Sequence, residues 1–177
     1  GPGIEVLADA VVKGPDGRFE TQSNVLLTVE ALRRFSSLAG RDLAGSGEIG
    51  ITSTIVPLDG MFDVLLAGTT TDLSIGIPQL DATFAGKGTI AAAATRDEAG
   101  TRLSNLTIRT DQANFQAAAE ITSNGSNANL TLDVEQAELI DPNLSGPMSL
   151  TAQVNQDIEK VVDIAASAIA VGLDAKV

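Results

Sequence analysis

The sequence predicts an all-β protein: an open, strongly curved antiparallel meander sheet, a groove with an aliphatic concave face and one short helix near residues 30–39. Apolar residues alternate with polar ones at a period of two through almost the whole chain, the signature of half-buried strands. Turn signals break that alternation at short, regular intervals, giving roughly ten to thirteen strands in hairpin succession. The apolar positions hold Leu, Ile, Val and Ala with few rings: aromatic residues make up 3% of the chain, and Trp and Tyr are absent. A closed core at normal density usually includes large rings; a wide cupped sheet does not need them.

The first thirty residues read as a hairpin. Ile4, Val6, Ala8, Ala10 and Val12 alternate, Gly14-Pro15-Asp16-Gly17 turns the chain, and Phe19, Thr21, Ser23, Val25, Leu27 and Val29 return on one face. Ala31, Leu32, Phe35 and Leu38 then change to helical spacing, stopped by Gly40; so short a helix must dock on the sheet. Ile49, Ile51 and Ile55 share the next face before Pro57-Leu58-Asp59-Gly60. Phe62, Val64 and Leu66 follow, with an end expected at Gly68-Thr69-Thr70-Thr71-Asp72. Leu73, Ile75 and Ile77 predict a further strand into Pro78, with parity flipping to Leu80, Ala82 and Phe84 as at a bulge.

Ile90, Ala92 and Ala94 precede a turn at Asp97-Glu98-Ala99-Gly100. Leu106 and Ile108, then Phe115, Ala117, Ala119 and Ile121, form another pair. Asn124-Gly125 predicts a type I′ turn with positive φ at both residues, feeding Ala128, Leu130, Leu132 and Val134. Met148, Leu150, Ala152 and Val154 make the next strand, then Val162, Ile164 and Ala166, then Ile169, Val171, Leu173, Ala175 and Val177. Residues 155–170 also fit a helical period, so strand and helix both stand there.

A chain of 177 residues is long enough to bury an apolar face. Gly1-Pro2-Gly3 reads as the remnant of a cleaved tag, leaving residues 4–177 as a single groove domain. Asp and Glu number 23 against 11 Lys and Arg, a net charge of −12, which argues against a nucleic-acid or anionic-surface footprint. Cysteine and histidine are both absent, removing disulfides, thiol nucleophiles and the commonest general base and metal ligand.

The remaining chemistry is sparse. Asp97 with Glu98, Glu135 with Glu138 and Asp157 with Glu159 are carboxylate pairs, but each falls in a turn or at alternate strand positions, where solvation is the simpler role. Ser36, Ser37 and Ser145 have no histidine to activate them, which leaves a lysine such as Lys87 or Lys160 as the only base. Gly45-Ser46-Gly47 and Gly86-Lys87-Gly88 lack the following helix that a phosphate loop requires. The sequence therefore predicts no enzyme, no cofactor and no metal.

A loose internal repeat organises the chain. An apolar residue stands two places before a glycine, with a new strand just after it, at Leu43/Gly45, Phe84/Gly86 and Leu144/Gly146. The phrases are Leu27-Thr28-Val29-Glu30-Ala31-Leu32 through Leu43-Ala44-Gly45-Ser46-Gly47; Leu73-Ser74-Ile75-Gly76-Ile77-Pro78-Gln79-Leu80; and Leu132-Asp133-Val134-Glu135-Gln136-Ala137-Glu138-Leu139 through Leu144-Ser145-Gly146-Pro147-Met148.

These phrases resemble the TamB-like family, the translocation and assembly module proteins of the AsmA-like group in Gram-negative bacteria. The Ala-rich acidic composition is similar to alphaproteobacterial members. The resemblance implies a β-taco fold and a slice of a longer periplasmic array, anchored in the inner membrane by a missing N-terminal segment. It implies a TamA-like outer-membrane partner for a missing C-terminal part. Its implied roles are outer-membrane biogenesis, by phospholipid transport between the inner and outer membranes, and assembly of outer-membrane proteins and autotransporters. No catalytic residues carry over.

On this reading the hydrophobic groove is lined by Val25, Leu27, Ile49, Ile51, Val64, Leu66, Ile75, Leu106, Ile108, Leu130, Leu132, Leu150 and Val154. It would hold phospholipid acyl chains, or nascent outer-membrane β-strands added at a sheet edge. Exposed edges also predict a homodimer of the isolated segment. The alternative is a structural β-stalk or adhesin passenger module with a closed core. A β-helix repeats at about 20 to 25 residues, whereas Gly45, Gly86 and Gly146 lie 41 and 60 residues apart, which favours a meander of long strands.

Overall fold

The computed structural model describes residues 3–14, 17–159, 161–170 and 173–176. Eleven strands form one antiparallel sheet in strict sequence order. They are β1 (Ile4–Lys13), β2 (Glu20–Val29), β3 (Ala44–Val56), β4 (Met61–Ser74), β5 (Lys87–Asp97), β6 (Gly100–Thr110), β7 (Ala113–Thr122), β8 (Gly125–Val134), β9 (Met148–Gln156), β10 (Val162–Ala170) and β11 (Leu173–Lys176). The sheet is an open, curved, all-β meander in which each strand pairs only with its sequence neighbours. Period-two patterning needs only a local turn to bring each strand back beside the last.

The connections differ at the two ends of the strands. The β1–β2, β3–β4, β5–β6, β7–β8 and β9–β10 links, all of them short, lie at one margin. At the other margin lie the long connections, residues 30–43, 75–86 and 135–147. The first holds a 3-10 turn (Leu32–Phe35) and helix α1 (Ser36–Ala39), closed by Gly40 at φ 65°, as the helical spacing predicts. The second holds helix α2 (Pro78–Asp81), and the third a 3-10 turn (Ala137–Leu139).

Each long connection re-enters the sheet through a repeat glycine with positive φ: Gly45 at 98°, Gly86 at 84° and Gly146 at 73°. The repeat is thus a strand pair plus a long return loop. Its spacing widens to 60 residues between Gly86 and Gly146 because the β6–β7 link at the same margin has shrunk to Asp111-Gln112.

The structure corrects several expectations. Ile75 and Ile77 do not form a strand: β4 runs through Gly68–Asp72 to Ser74, and Pro78 begins α2. The β-branched Thr69, Thr70 and Thr71 continue the ladder against β3 and β5. Asp81 then folds the loop back, accepting hydrogen bonds from the Ile75 amide (2.7 Å) and the Ser74 hydroxyl (2.8 Å). Leu80, Ala82 and Phe84 accordingly lie in α2 and the loop after it.

Asn124-Gly125 is not the centre of a type I′ turn. Gly125 already pairs with Thr122, and the Thr122 hydroxyl accepts the Asn124 amide and donates to the Gly125 carbonyl, both at 3.1 Å. Phe19 leaves the strand face with φ 55°, its ring packed where a side chain on Gly14 would stand. Residues 162–170 are strand, with Ile169 inside β10; Val171, Gly172 and Val177 lie outside the described residues.

Candidate functional site

Cross-strand register builds the site. Directly paired residues of an antiparallel sheet share a face, and one such row runs Ala8, Val25, Ile51, Leu66, Ala92, Leu106, Ala117, Leu130, Ala152, Ala166 without a polar interruption. On one side of it runs the row containing Leu27, Ile49, Ile90, Ile108, Phe115, Leu132 and Leu150. On its other side runs the row containing Val64, Ala94, Leu103, Ala128 and Val154.

A bulge in β6 keeps these rows aligned: Leu103 and Leu106 face the same way because Ser104 and Asn105 share one step of the ladder. Of the residues predicted to line a groove, all but Ile75 lie in these rows; Ile75 sits in the loop before α2.

The other face is polar. Its rows carry Glu5, Thr28, Glu48, Asp63, Arg102, Glu120, Asn129 and Asp133. Arg102 and Glu120 pair across strands at 2.6 Å. The hydrogen bond from Arg102 holds the Glu120 carboxyl below its usual range, and the same bond raises Arg102. A shallow hollow of about 450 Å³ also lies on this face, where Gly50, Ala67, Ala91 and Ala93 leave room between Thr52, Leu65 and Asn105.

Among the described residues no second sheet covers the apolar rows. The buried apolar cluster is confined to the margin of the long connections, where Ala113, Val134, Met148 and Ala170 pack with Ala137, against Leu132, Ile140 and Leu144. Thr83 and Phe84 are buried beside it, and the Thr110 hydroxyl donates to the Thr83 carbonyl at 2.7 Å. Two long connections therefore fold over one margin of the apolar face. The central side chains, Val25, Ile51, Leu66, Leu106 and Leu130, are half-buried by their neighbours alone, whereas Leu65 on the polar face is exposed. At the margin of the short turns Val12, Ile55, Ile121 and Val162 are open to solvent.

Ten strands at about 4.8 Å and three rows at about 6.6 Å give an apolar footprint of about 950 Å². That exceeds the few hundred Å² of patch usual on a soluble monomer, which makes the face the candidate site.

Two features of the face escaped sequence reasoning. The alternating alanines Ala92, Ala117, Ala152 and Ala166, which the sequence places on the alternating faces but not in the predicted groove lining, are full members of the row. The second is Arg96, which continues the parity of Ile90, Ala92 and Ala94 and lies on this same face between Phe62 and Thr101. Among the described residues at paired positions of β1 to β10, it is the only ionisable side chain on the apolar face. The face does carry a hydroxyl pair, Ser23 and Ser53, at 2.7 Å.

Among the described residues no group of carboxylates is placed to hold a metal ion, and no helix is long and apolar enough to cross a membrane. The Ser36 hydroxyl accepts the Leu43 amide at 2.9 Å and so serves the loop. Comparisons with protein-family models, curated proteins and solved structures find no match.

Proposed function

We propose that this chain is a non-enzymatic segment of a TamB-like periplasmic bridge, whose apolar face carries phospholipid acyl chains between the inner and outer membranes. The observation that carries the reading is the uninterrupted apolar register from β1 to β10, left open by the sheet. Acyl chains need a dry, unspecific aliphatic surface, and such a surface binds by area with no need for a pocket. In this reading an upstream segment holds the bridge in the inner membrane and a downstream part meets a TamA-like protein.

A sheet edge, wherever the array leaves one unpaired, would supply the second role, pairing with a nascent outer-membrane strand or with another copy of the chain. The closed-core stalk is less well supported, since its core would have to include Val25, Ile51 and Leu130, which stay half-exposed.

The test is extraction. Protein purified from a bacterial host without detergent is extracted with organic solvent and searched for phospholipid by mass spectrometry, beside a Leu130→Glu/Leu132→Glu variant. Lipid on the wild type and none on the folded variant is expected. Lipid on neither, with both folded, would remove acyl-chain transport and leave the strand edge or a stalk.

A further inference from the structure

We infer that Arg96 is a phosphate-binding residue: it holds the phosphodiester of a phospholipid at the open margin of the apolar face while the acyl chains lie on the rows beyond it. The inference rests on the acyl-chain reading above and adds a headgroup contact to it. In a chain of net charge −12, the one ionisable side chain at the described paired positions of the face proposed for lipid is a cation.

Its place is specific. Arg96 pairs with Thr101 on β6 and Phe62 on β4, in the row next to the short turns. Inward along the same strand, at successive positions of the same face, stand Ala94, Ala92 and Ile90. An arginine in such a position lays its aliphatic stem on the apolar surface and carries the guanidinium to the water boundary. The planar fork then suits two phosphate oxygens, with the Thr101 hydroxyl across the ladder as a further donor. From Arg96 to Ile90 is six residues, about 20 Å of strand, more than the roughly 15 Å of one leaflet's hydrocarbon. An acyl chain starting at the guanidinium can therefore lie its full length on the face.

The guanidinium is available. Among the described residues it has no hydrogen-bond or ion-pair partner, whereas its neighbours are engaged. Asp97 accepts the amides of Ala99 and Gly100 at 2.8 and 3.2 Å, Glu120 holds Arg102, and Asp59 holds Arg18 at 2.9 Å. Asp63 belongs to the polar face by register with Thr95. Only Arg18 and Arg102 have a carboxylate partner among the described residues, so what sets Arg96 apart is its place on the apolar face, where a ligand that brings its own negative charge would meet it. The wider acidic field is damped over about 8 to 10 Å at physiological salt.

The experiment compares dioleoyl phosphatidylglycerol with dioleoylglycerol, which has the same chains and no phosphate, each displacing a fluorescent fatty acid from wild type, Arg96→Gln and Arg96→Lys. Wild type is expected to prefer the phospholipid about tenfold. Arg96→Gln should lose that preference and keep its affinity for dioleoylglycerol, and Arg96→Lys should keep part of it. Glycerol 3-phosphate alone should displace neither lipid. An intact preference in Arg96→Gln, no preference in wild type, or full competition by glycerol 3-phosphate would each overturn the role of Arg96 while leaving the acyl-chain trough standing. Binding of neither lipid by wild type would overturn both.

Discussion

Gly45 and Gly40 separate two costs that a sequence shows as the same letter. Both have positive φ, 98° and 65°. A Cβ on Gly40 would meet nothing within 4 Å, whereas one on Gly45 would stand 2.5 Å from the Asp72 carbonyl oxygen and 2.6 Å from that of Thr71. Gly40→Ala should therefore cost only the left-handed backbone term, about 1 kcal/mol. Gly45→Ala adds a collision with two fixed carbonyls of β4 and should cost at least about 3 kcal/mol. Urea unfolding midpoints of the two variants measure the difference, and equal losses would refute it. The repeat pointed to Gly45, Gly86 and Gly146 together, since each follows an apolar residue and opens a strand. Their shared conformation was legible; the carbonyl contacts at Gly45 were not, because they come from the neighbouring strand. Arg96 was hidden for a related reason: one charge ending an alternating run reads as the start of a turn until register shows which face it occupies.

At the scale of elements, the connection between β4 and β5 shows where alternation misleads. Leu73, Ile75 and Ile77 have a strand's spacing, yet the segment bends because Pro78 is preorganised for the first turn of a helix and Asp81 collects the local donors. Burial pushes the Asp81 carboxyl up, but hydrogen bonds from the Ile75 amide, the Ser74 hydroxyl and the Ile77 and Gly76 amides outweigh it, and its pKa falls below the ordinary 3.8. A carboxylate depressed in the folded state stabilises at pH values above its unfolded pKa, and that contribution is lost as pH falls through the folded value. Stability should thus drop below pH 3.8 partly through this loop. Asp81→Asn should be less stable at neutral pH and should show a shallower loss on acidification, read from thermal melts between neutral pH and pH 2. A variant with an unchanged acid slope would show that the loop contributes nothing there. Strands with strict alternation, such as β7, β8 and β9, were legible; the segments set by side-chain-to-backbone bonds, the loop held by Asp81 and the turn held by Thr122, were not.

For the whole molecule, the apolar face was legible because a meander makes register follow from turn positions, so period-two parity in each strand adds up to rows across the sheet. The molecule's edges are the part that parity alone does not settle. β1 leaves Val6, Leu7, Val11 and Val12 exposed at 57 to 62%, a long apolar edge with only Asp9 and the terminal charges to blunt it. The Glu30 amide donates to the Gly3 carbonyl at 2.9 Å, so odd-numbered residues of β1 bond inward to β2 and even-numbered ones present their N–H and C=O outward. Two copies of β1 related by a two-fold axis normal to the sheet can then pair in a register that sets Val6 against Val12 and Leu7 against Val11. Glu5 falls opposite Lys13 twice, and Asp9 opposes itself once. That register joins two apolar faces into one continuous surface, and it predicts a concentration-dependent dimer in sedimentation equilibrium. Lys13→Glu should weaken the dimer on the order of tenfold by turning two cross-strand attractions into repulsions. Adding Glu5→Lys should restore it, and Asp9→Asn alone should tighten it. A monomer at every concentration, or a Lys13→Glu variant that dimerises like wild type, would show that β1 does not pair with itself in this register and would leave its edge to a foreign strand.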